Sequence, residues 1–250
     1  MMIKLIVSDF DGTLLPYGER EVLDSTVRLL QAAVERGVTV AVSSGRTYRE
    51  LAAAFPTLAQ SLWFIACDGA YYGRGGRMYY EKQIAREDLR LFDKNRLNGF
   101  SYILHGALCN YACGNIPAEE AARFQAVPVH HTDAVKEKIF KVTSFGGALR
   151  LPPYCGLRMH WDGGKHSMAQ YVNRFADKGT ALSNLQTRLM LTKFDTACIG
   201  DSGNDVAMMH NAKASFCVGE RSQALRDACQ TQVQTAEEAL RALLSEMLEF

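Results

Sequence analysis

The chain carries no excess of charge in either direction. Its 28 lysines and arginines stand against 27 aspartates and glutamates, a net charge of +1 over 250 residues. It therefore has no broad basic field of the kind that concentrates nucleic acid or an anionic membrane surface, and neither is expected as a partner. A leader segment is not expected either. The apolar stretch between Met1 and Asp9 is broken by Lys4 and Ser8, too short for a signal peptide and far too short to span a bilayer, so a cytoplasmic protein is expected. Paired cysteines are also lacking. Cys67, Cys109, Cys113, Cys155, Cys198, Cys217 and Cys229 are odd in number and scattered along a chain long enough to need no staple, so free thiols are expected. Cys109 and Cys113, with His105 nearby, could be imagined as zinc ligands, but no second cysteine pair stands at finger or ribbon spacing. Internal repeats and low-complexity tracts are absent.

What is present is a 48% apolar composition, enough for a substantial core. The apolar run Ile3 to Val7 reads as a strand, followed by a turn-rich segment and an amphipathic helix from Asp24 to Arg36. Asp24 is the expected cap, Val27, Leu30 and Val34 share a face, and Gly37 ends the helix. Val38 to Val42 is a second strand, Thr47 to Phe55 a helix stopped by Pro56, and Leu62 to Cys67 a third strand. The alternation returns late in the chain. Helix is expected at 180–191, strand at 196–199, helix at 206–210, strand at 215–218, and helices at 223–229 and 236–248, the last with Met247 on its apolar face. Strands apolar on both faces and separated by helices imply a parallel sheet covered on both sides, a doubly wound α/β fold. Between these halves the rhythm changes, with glycines at 146, 147, 163 and 164, Pro152, Pro153 and several short apolar runs. The expected organisation is a core of residues 1–82 and 178–250 with an inserted α+β domain at 83–177.

The strongest chemical signal is Asp9-Phe10-Asp11-Gly12-Thr13, directly after the first strand. Two aspartates one residue apart at a strand's carboxyl end project into the crevice where doubly wound sheets bind ligands, and Gly12 allows a sharp turn there. An isolated pair of this kind is usually a solvated acidic turn. Three further segments argue otherwise. Ser43-Ser44-Gly45-Arg46 ends the second strand ahead of a helix, an arrangement that makes an anion site, although Ser44 or Thr47 could be only a helix cap. Lys178, in Asp177-Lys178-Gly179-Thr180 where the chain returns from the insertion, would by itself be read as solvated surface, but phosphoryl transfer needs a point cation that no other segment of the set supplies. Gly200-Asp201-Ser202-Gly203-Asn204-Asp205 follows another strand with oxygen ligands suited to a hard divalent cation.

These four segments, in this order, resemble the motifs of the haloacid dehalogenase superfamily. The nearest branch is the Cof-type phosphatases, which carry a type II α/β cap between the second and third motifs. The resemblance covers about residues 1–82 and 178–218. It implies that Asp9 attacks phosphorus to form an aspartyl-phosphate, while Asp11 protonates the leaving oxygen and then activates water. It further implies that Ser44 and Lys178 hold the phosphoryl oxygens, with Gly12, Gly45, Arg46, Asp68, Gly69 and Asn204 among the phosphate and substrate contacts. Magnesium is implied on Asp9, Asp201 and the backbone carbonyl of Asp11, with Asn204 and Asp205 orienting Lys178 from behind. One departure stands out: Cys67-Asp68-Gly69-Ala70 has an aspartate where relatives commonly have asparagine. An ionised Asp68 would repel a phosphate unless it points away, pairs with a cation such as Arg46 or Arg74, or selects a cationic or hydroxyl-rich substrate.

The expected activity is magnesium-dependent hydrolysis of a small phosphorylated metabolite, a sugar phosphate or phosphorylated cofactor. A sugar phosphomutase on the same core and a non-catalytic regulatory protein of the same fold are the alternatives, and a monomer or small homo-oligomer is expected. The inserted segment holds none of the four motifs. His105, Tyr111, Arg158, His160 and Trp161 are its candidates for reading the leaving group, as a lid over the core, each with the alternative of being a surface residue or part of the insertion's own core.

Overall fold

The computed structural model describes residues 3–96, 99–161 and 168–246. The first apolar run forms β1 (Leu5–Asp9), buried along its whole length, and leads into α1 (Asp24–Glu35). Asp24 does not cap this helix. Leu23 takes the N-cap position in an extended conformation and makes no side-chain cap bond, which leaves Asp24 as the first helical residue, its charge facing the positive end of the helix dipole. Thr26, Leu30 and Ala33 form the fully buried stripe, with Val27 and Val34 only half-buried beside it. The helix closes through Gly37, which turns left-handed and donates to the Val34 carbonyl.

β2 (Thr39–Ser43), α2 (Tyr48–Ala54) and β3 (Trp63–Ala66) follow. Two strands come next, β4 (Tyr71–Arg74) and β5 (Arg77–Glu81). The insertion then runs α3 (Arg86–Arg96), β6 (Ser101–Gly106), β7 (Asn110–Cys113), α4 (Ala118–Arg123), β8 (Ala126–Val129), β9 (Ile139–Phe145), β10 (Leu157–Trp161) and β11 (Ala169–Asn173). The chain returns with α5 (Lys178–Leu189), β12 (Thr196–Gly200), α6 (Val206–Met209), β13 (Ala214–Val218), α7 (Gln223–Ala228), β14 (Thr231–Val233) and α8 (Ala236–Glu246). Met247, expected on the last helix, and the glycines at 163 and 164 lie outside the described residues.

The structure divides into two units, one taking the chain up to Tyr80 and resuming at Asp177, the other formed by Glu81–Ala176. In the first, eight strands lie in the order β14-β13-β12-β1-β2-β3-β4-β5. From β14 to β3 every pairing is parallel, and β4 joins β3 antiparallel. This is the α/β parallel-sheet class that unbroken apolar strands separated by helices predict. Leu5 and Val7 of β1, Leu182 and Leu185 of α5, and Met208 and Met209 pack into one core cluster.

The second unit holds a six-stranded sheet, β10-β11-β9-β6-β7-β8, antiparallel except between β7 and β8. Phe92 of α3 packs on Tyr102 and Tyr171, with ring centroids 5.6 and 5.0 Å apart. It is an α+β unit. Among the described residues no helix is long and apolar enough to cross a membrane.

Candidate active site

Parallel pairing delivers three strand ends to one edge of the sheet. Asp9 sits in register with Ser43 of β2, and Ser8 with Ile199 of β12. Asp9, Ser44 and Asp201 therefore emerge together at the carboxyl ends of adjacent strands, where open α/β sheets bind ligands. The emerging charges are withdrawn from water: Asp9 is 4% exposed, Lys178 2%, Asp201 1% and Asp205 0%. Buried charge at this density survives only if it is paired.

Lys178 supplies the pairing. As the first residue of α5, positioned by the Asp177 cap that accepts from the Thr180 amide at 2.8 Å, it donates from Nζ to Asp9 Oδ1 and Asp205 Oδ1, each at 2.6 Å. Asp205 uses its other oxygen to accept from the backbone amides of Asp201 and Ser202, at 3.2 and 3.1 Å. It is thus the fixed anchor of the lysine. Burial by itself would lower the Lys178 pKa, but Asp205, Asp9 and Asp68 outweigh it and hold the ammonium above the ordinary lysine range. Burial, reinforced by Asp205 and Asp201, pushes Asp9 well above the usual carboxylate range, while Lys178 pulls it back.

The loop after β3 reaches the start of α5 because Gly69 has no side chain. A Cβ there would lie 2.2 Å from the Asp177 carbonyl oxygen and 2.9 Å from the Lys178 nitrogen, and its φ is +87°. The same loop is stitched to the loop after β2, with the Cys67 amide donating to Arg46 and the Asp68 amide to Ser44. Asp68 lies in a left-handed conformation, φ 55°, and its charge acts on Lys178. Lys178 is thus a cation for Asp68 beyond the expected Arg46 and Arg74. Arg74 donates to the Gln60 carbonyl at 3.3 Å.

Asp11 is held on the outer side of the cluster. Arg46 donates from Nε to both of its oxygens at 3.1 Å and from Nη2 to Oδ1 at 2.6 Å, with the guanidinium 4.7 Å from the centroid of the Phe10 ring. Ser44 Oγ donates to Asp11 Oδ2 at 3.3 Å and accepts from the Arg46 amide at 3.1 Å. The caps are also settled: Thr47, not Ser44, caps α2, in a reciprocal box with Glu50. Gly45 lies between Ser44 and Arg46, half-buried. Asn204 is exposed, and its Oδ1 accepts from Ser202 Oγ at 2.6 Å; of the two residues expected behind Lys178, Asp205 is the one hydrogen-bonded to it.

One residue of the site was not foreseen. Tyr17, in the turn after β1, donates its hydroxyl to Asp201 Oδ2 at 2.7 Å. Gly12 makes room for it, since a Cβ there would lie 2.4 Å from the Tyr17 ring. Burial and the bond to Asp201 raise the Tyr17 pKa, so it stays a donor. Pro16-Tyr17-Gly18 reads in sequence only as a turn; no local signal points to a partner 184 residues away.

The donor set fits a hard divalent cation. Asp9, Asp201 and Asp205 each offer a carboxylate oxygen within 4.8 Å of the others, and Asp201 Oδ1 is buried with no hydrogen-bond partner. Carboxylate oxygens held this close, against the single ammonium of Lys178 that bonds two of them, leave negative charge that magnesium would neutralise.

The inserted unit corrects one candidate for leaving-group recognition. His105 is 2% exposed, its Nδ1 3.1 Å from Asn110 Oδ1 and its Nε2 2.8 Å from Thr143 Oγ1. It is a satisfied core histidine. Tyr111 donates to Glu137 at 2.7 Å, Arg158 donates to the Ala176 carbonyl, and His160 is exposed; the Trp161 side chain lies outside the described residues.

A family model described as haloacid dehalogenase-like hydrolase matches residues 6–240. Phosphatase YwpJ of Bacillus subtilis is 25% identical, the alignment covering 90% of this chain and 92% of that one. The 5-amino-6-(5-phospho-D-ribitylamino)uracil phosphatase YbjI of Escherichia coli is 22% identical, with 90% and 88% covered. Among solved structures, SMU.1108c from Streptococcus mutans UA159 superposes with a TM-score of 0.82 at 21% identity, covering 98% of this chain and 99% of that one.

Proposed function

The chain belongs to the haloacid dehalogenase-like hydrolases, in the Cof-type branch, and is a phosphatase; from that premise we propose that it hydrolyses the phosphomonoester of a small metabolite through an aspartyl-phosphate on Asp9. The observation that carries this reading is the buried ammonium of Lys178 bridging Asp9 and Asp205 beside the unpartnered Asp201 Oδ1. Such a cluster suits a phosphoryl dianion and a cation together, and a carboxylate nucleophile divides one difficult displacement into two easier ones.

Asp9 attacks phosphorus and the ester oxygen leaves, taking a proton from Asp11. Asp11 then removes a proton from the water that cleaves the acyl phosphate, which releases inorganic phosphate and regenerates Asp9. Lys178 and Ser44 hold phosphoryl oxygens. Arg46 is tied to Asp11 by a half-exposed pair that solvent and salt screen, from which an arriving phosphate can draw the guanidinium. Asp9, Asp201 and the Asp11 carbonyl would hold magnesium, which supplies neutralisation of the charge that otherwise repels the nucleophile. The substrate class is a sugar phosphate or a phosphorylated cofactor.

The test is inorganic phosphate release from a panel of phosphorylated metabolites, with magnesium and then with chelator. Activity is expected to require the metal, to need no bisphosphate activator, and to fall by roughly 10³-fold or more in a folded Asp9→Asn variant. Undiminished turnover in that variant or after rigorous metal removal would refute the mechanism.

A further inference from the structure

Tyr17 is 59% exposed, yet its hydroxyl is committed to a buried carboxylate of the site, at 2.7 Å from Asp201 Oδ2. Two further contacts hold the ring in place. Its edge occupies the space beside Gly12 where a Cβ would stand, and the Arg221 guanidinium lies 3.9 Å from its centroid. The loops after β1, β12 and β13, three neighbouring strands, are thereby clamped around one carboxylate. The two oxygens of Asp201 are consequently unequal: Oδ2 accepts from the phenol, while Oδ1 is buried and unpartnered.

That inequality bears on cation choice. Calcium takes roughly six to eight oxygens and commonly engages both oxygens of one carboxylate, whereas magnesium keeps a near-octahedral shell built from single oxygens and water. We propose that Tyr17 is a positioning residue that fixes Asp201 as a one-oxygen ligand and so biases the cluster toward magnesium over calcium. The inference rests on reading the carboxylate cluster as a magnesium site. Loss of the hydroxyl frees Oδ2 to turn toward the cation and lets Asp201 chelate through both oxygens. Outer groups that orient a ligand typically change metal affinity by about 10–100-fold, which sets the scale of the effect.

The test is calorimetric titration of the metal-stripped full chain with magnesium and, separately, with calcium, for the wild type, Tyr17→Phe, Arg221→Gln and Asp201→Asn. Wild type is expected to bind magnesium, and Asp201→Asn to weaken that binding by about tenfold or more. In Tyr17→Phe the ratio of calcium to magnesium affinity is expected to rise about tenfold. Arg221→Gln, which loosens the clamp but keeps the hydroxyl, is expected to move the ratio in the same direction by less, and it carries the test should Tyr17→Phe not fold. A merely structural role would weaken both cations alike. A ratio in Tyr17→Phe, or in Arg221→Gln should that variant stand in, within about twofold of wild type overturns the proposal, whatever happens to the separate affinities. Wild type that binds no magnesium, or binds it equally without the Asp201 carboxylate, overturns the magnesium-site reading beneath it as well.

Discussion

A buried ammonium between two carboxylates is stable only as a set. Lys178, Asp9 and Asp205 are each almost wholly removed from water, so removing the lysine leaves carboxylates that must stay buried and repel one another or take up protons. Breaking such a set by deleting one partner typically costs about 3–5 kcal/mol. Lys178→Met is therefore expected to lose activity and to lower the stability of the metal-free protein by about 3 kcal/mol, read from urea unfolding in chelator. Addition of magnesium should recover part of that loss, because the cation replaces some of the missing positive charge. A stability unchanged within error would mean that the cluster is held together by something other than this pairing.

Two glycines show how an element's placement can hang on a missing atom. Gly37 ends α1 with φ +79° in open space, whereas Gly69 has φ +87° and a backbone carbonyl 2.2 Å from where its Cβ would be. Alanine at position 37 should cost only the left-handed penalty, on the order of 1 kcal/mol. At position 69 the same change must also push the β3 loop away from the start of α5, adding a further ~1–3 kcal/mol of overpacking. Since that helix start carries Lys178, Gly69→Ala is expected to depress phosphate release as well, while Gly37→Ala leaves it near wild type. Urea unfolding and phosphate release measured on both variants separate the two effects; equal losses would show that the loop yields without moving the lysine.

At the scale of the whole molecule, the inserted unit carries a buried group whose protonation opposes folding in acid. In the Glu81–Ala176 unit, burial and then the charge of Lys141 lower the His105 pKa to about 3, against a slight opposing pull from Asn110. The folded ring stays neutral where the unfolded one, near 6.5, takes a proton. Stability from this source is therefore complete above about pH 6.5 and is lost as the pH falls toward 3, by about 3 kcal/mol between pH 7 and pH 4. His105→Gln can still bond both Asn110 and Thr143 but does not titrate. It is expected to flatten that part of the profile, with hydrogen exchange in β6 and β9 assigning the difference to this unit. Parallel profiles for the two proteins would show that His105 opens to solvent before it protonates.

The sequence by itself determined the class of the fold and the order of its motifs along the chain. Apolar runs such as Ile3 to Val7 and Val38 to Val42, separated by amphipathic stretches, are local signals, and β1, β2, α5, β12 and β13 formed within a few residues of where those signals lie. The placement of Asp9, Asp11, Ser44, Lys178 and Asp201 is legible for the same reason, because each sits in a short segment tied to the end of a strand or the start of a helix. Other features were not legible. β4, β5 and β14 were missed, since Tyr71–Arg74 and Arg77–Glu81 flank a glycine pair without clean alternation and Thr231–Val233 is only three residues long. The inward turn of His105, the pairing of Arg46 with Asp11 and the grip of Tyr17 on Asp201 depend on which strands become neighbours. Strand order brings together residues 35 and 184 positions apart, and no periodicity within a short window encodes a contact made across that distance; only the assembled sheet decides it.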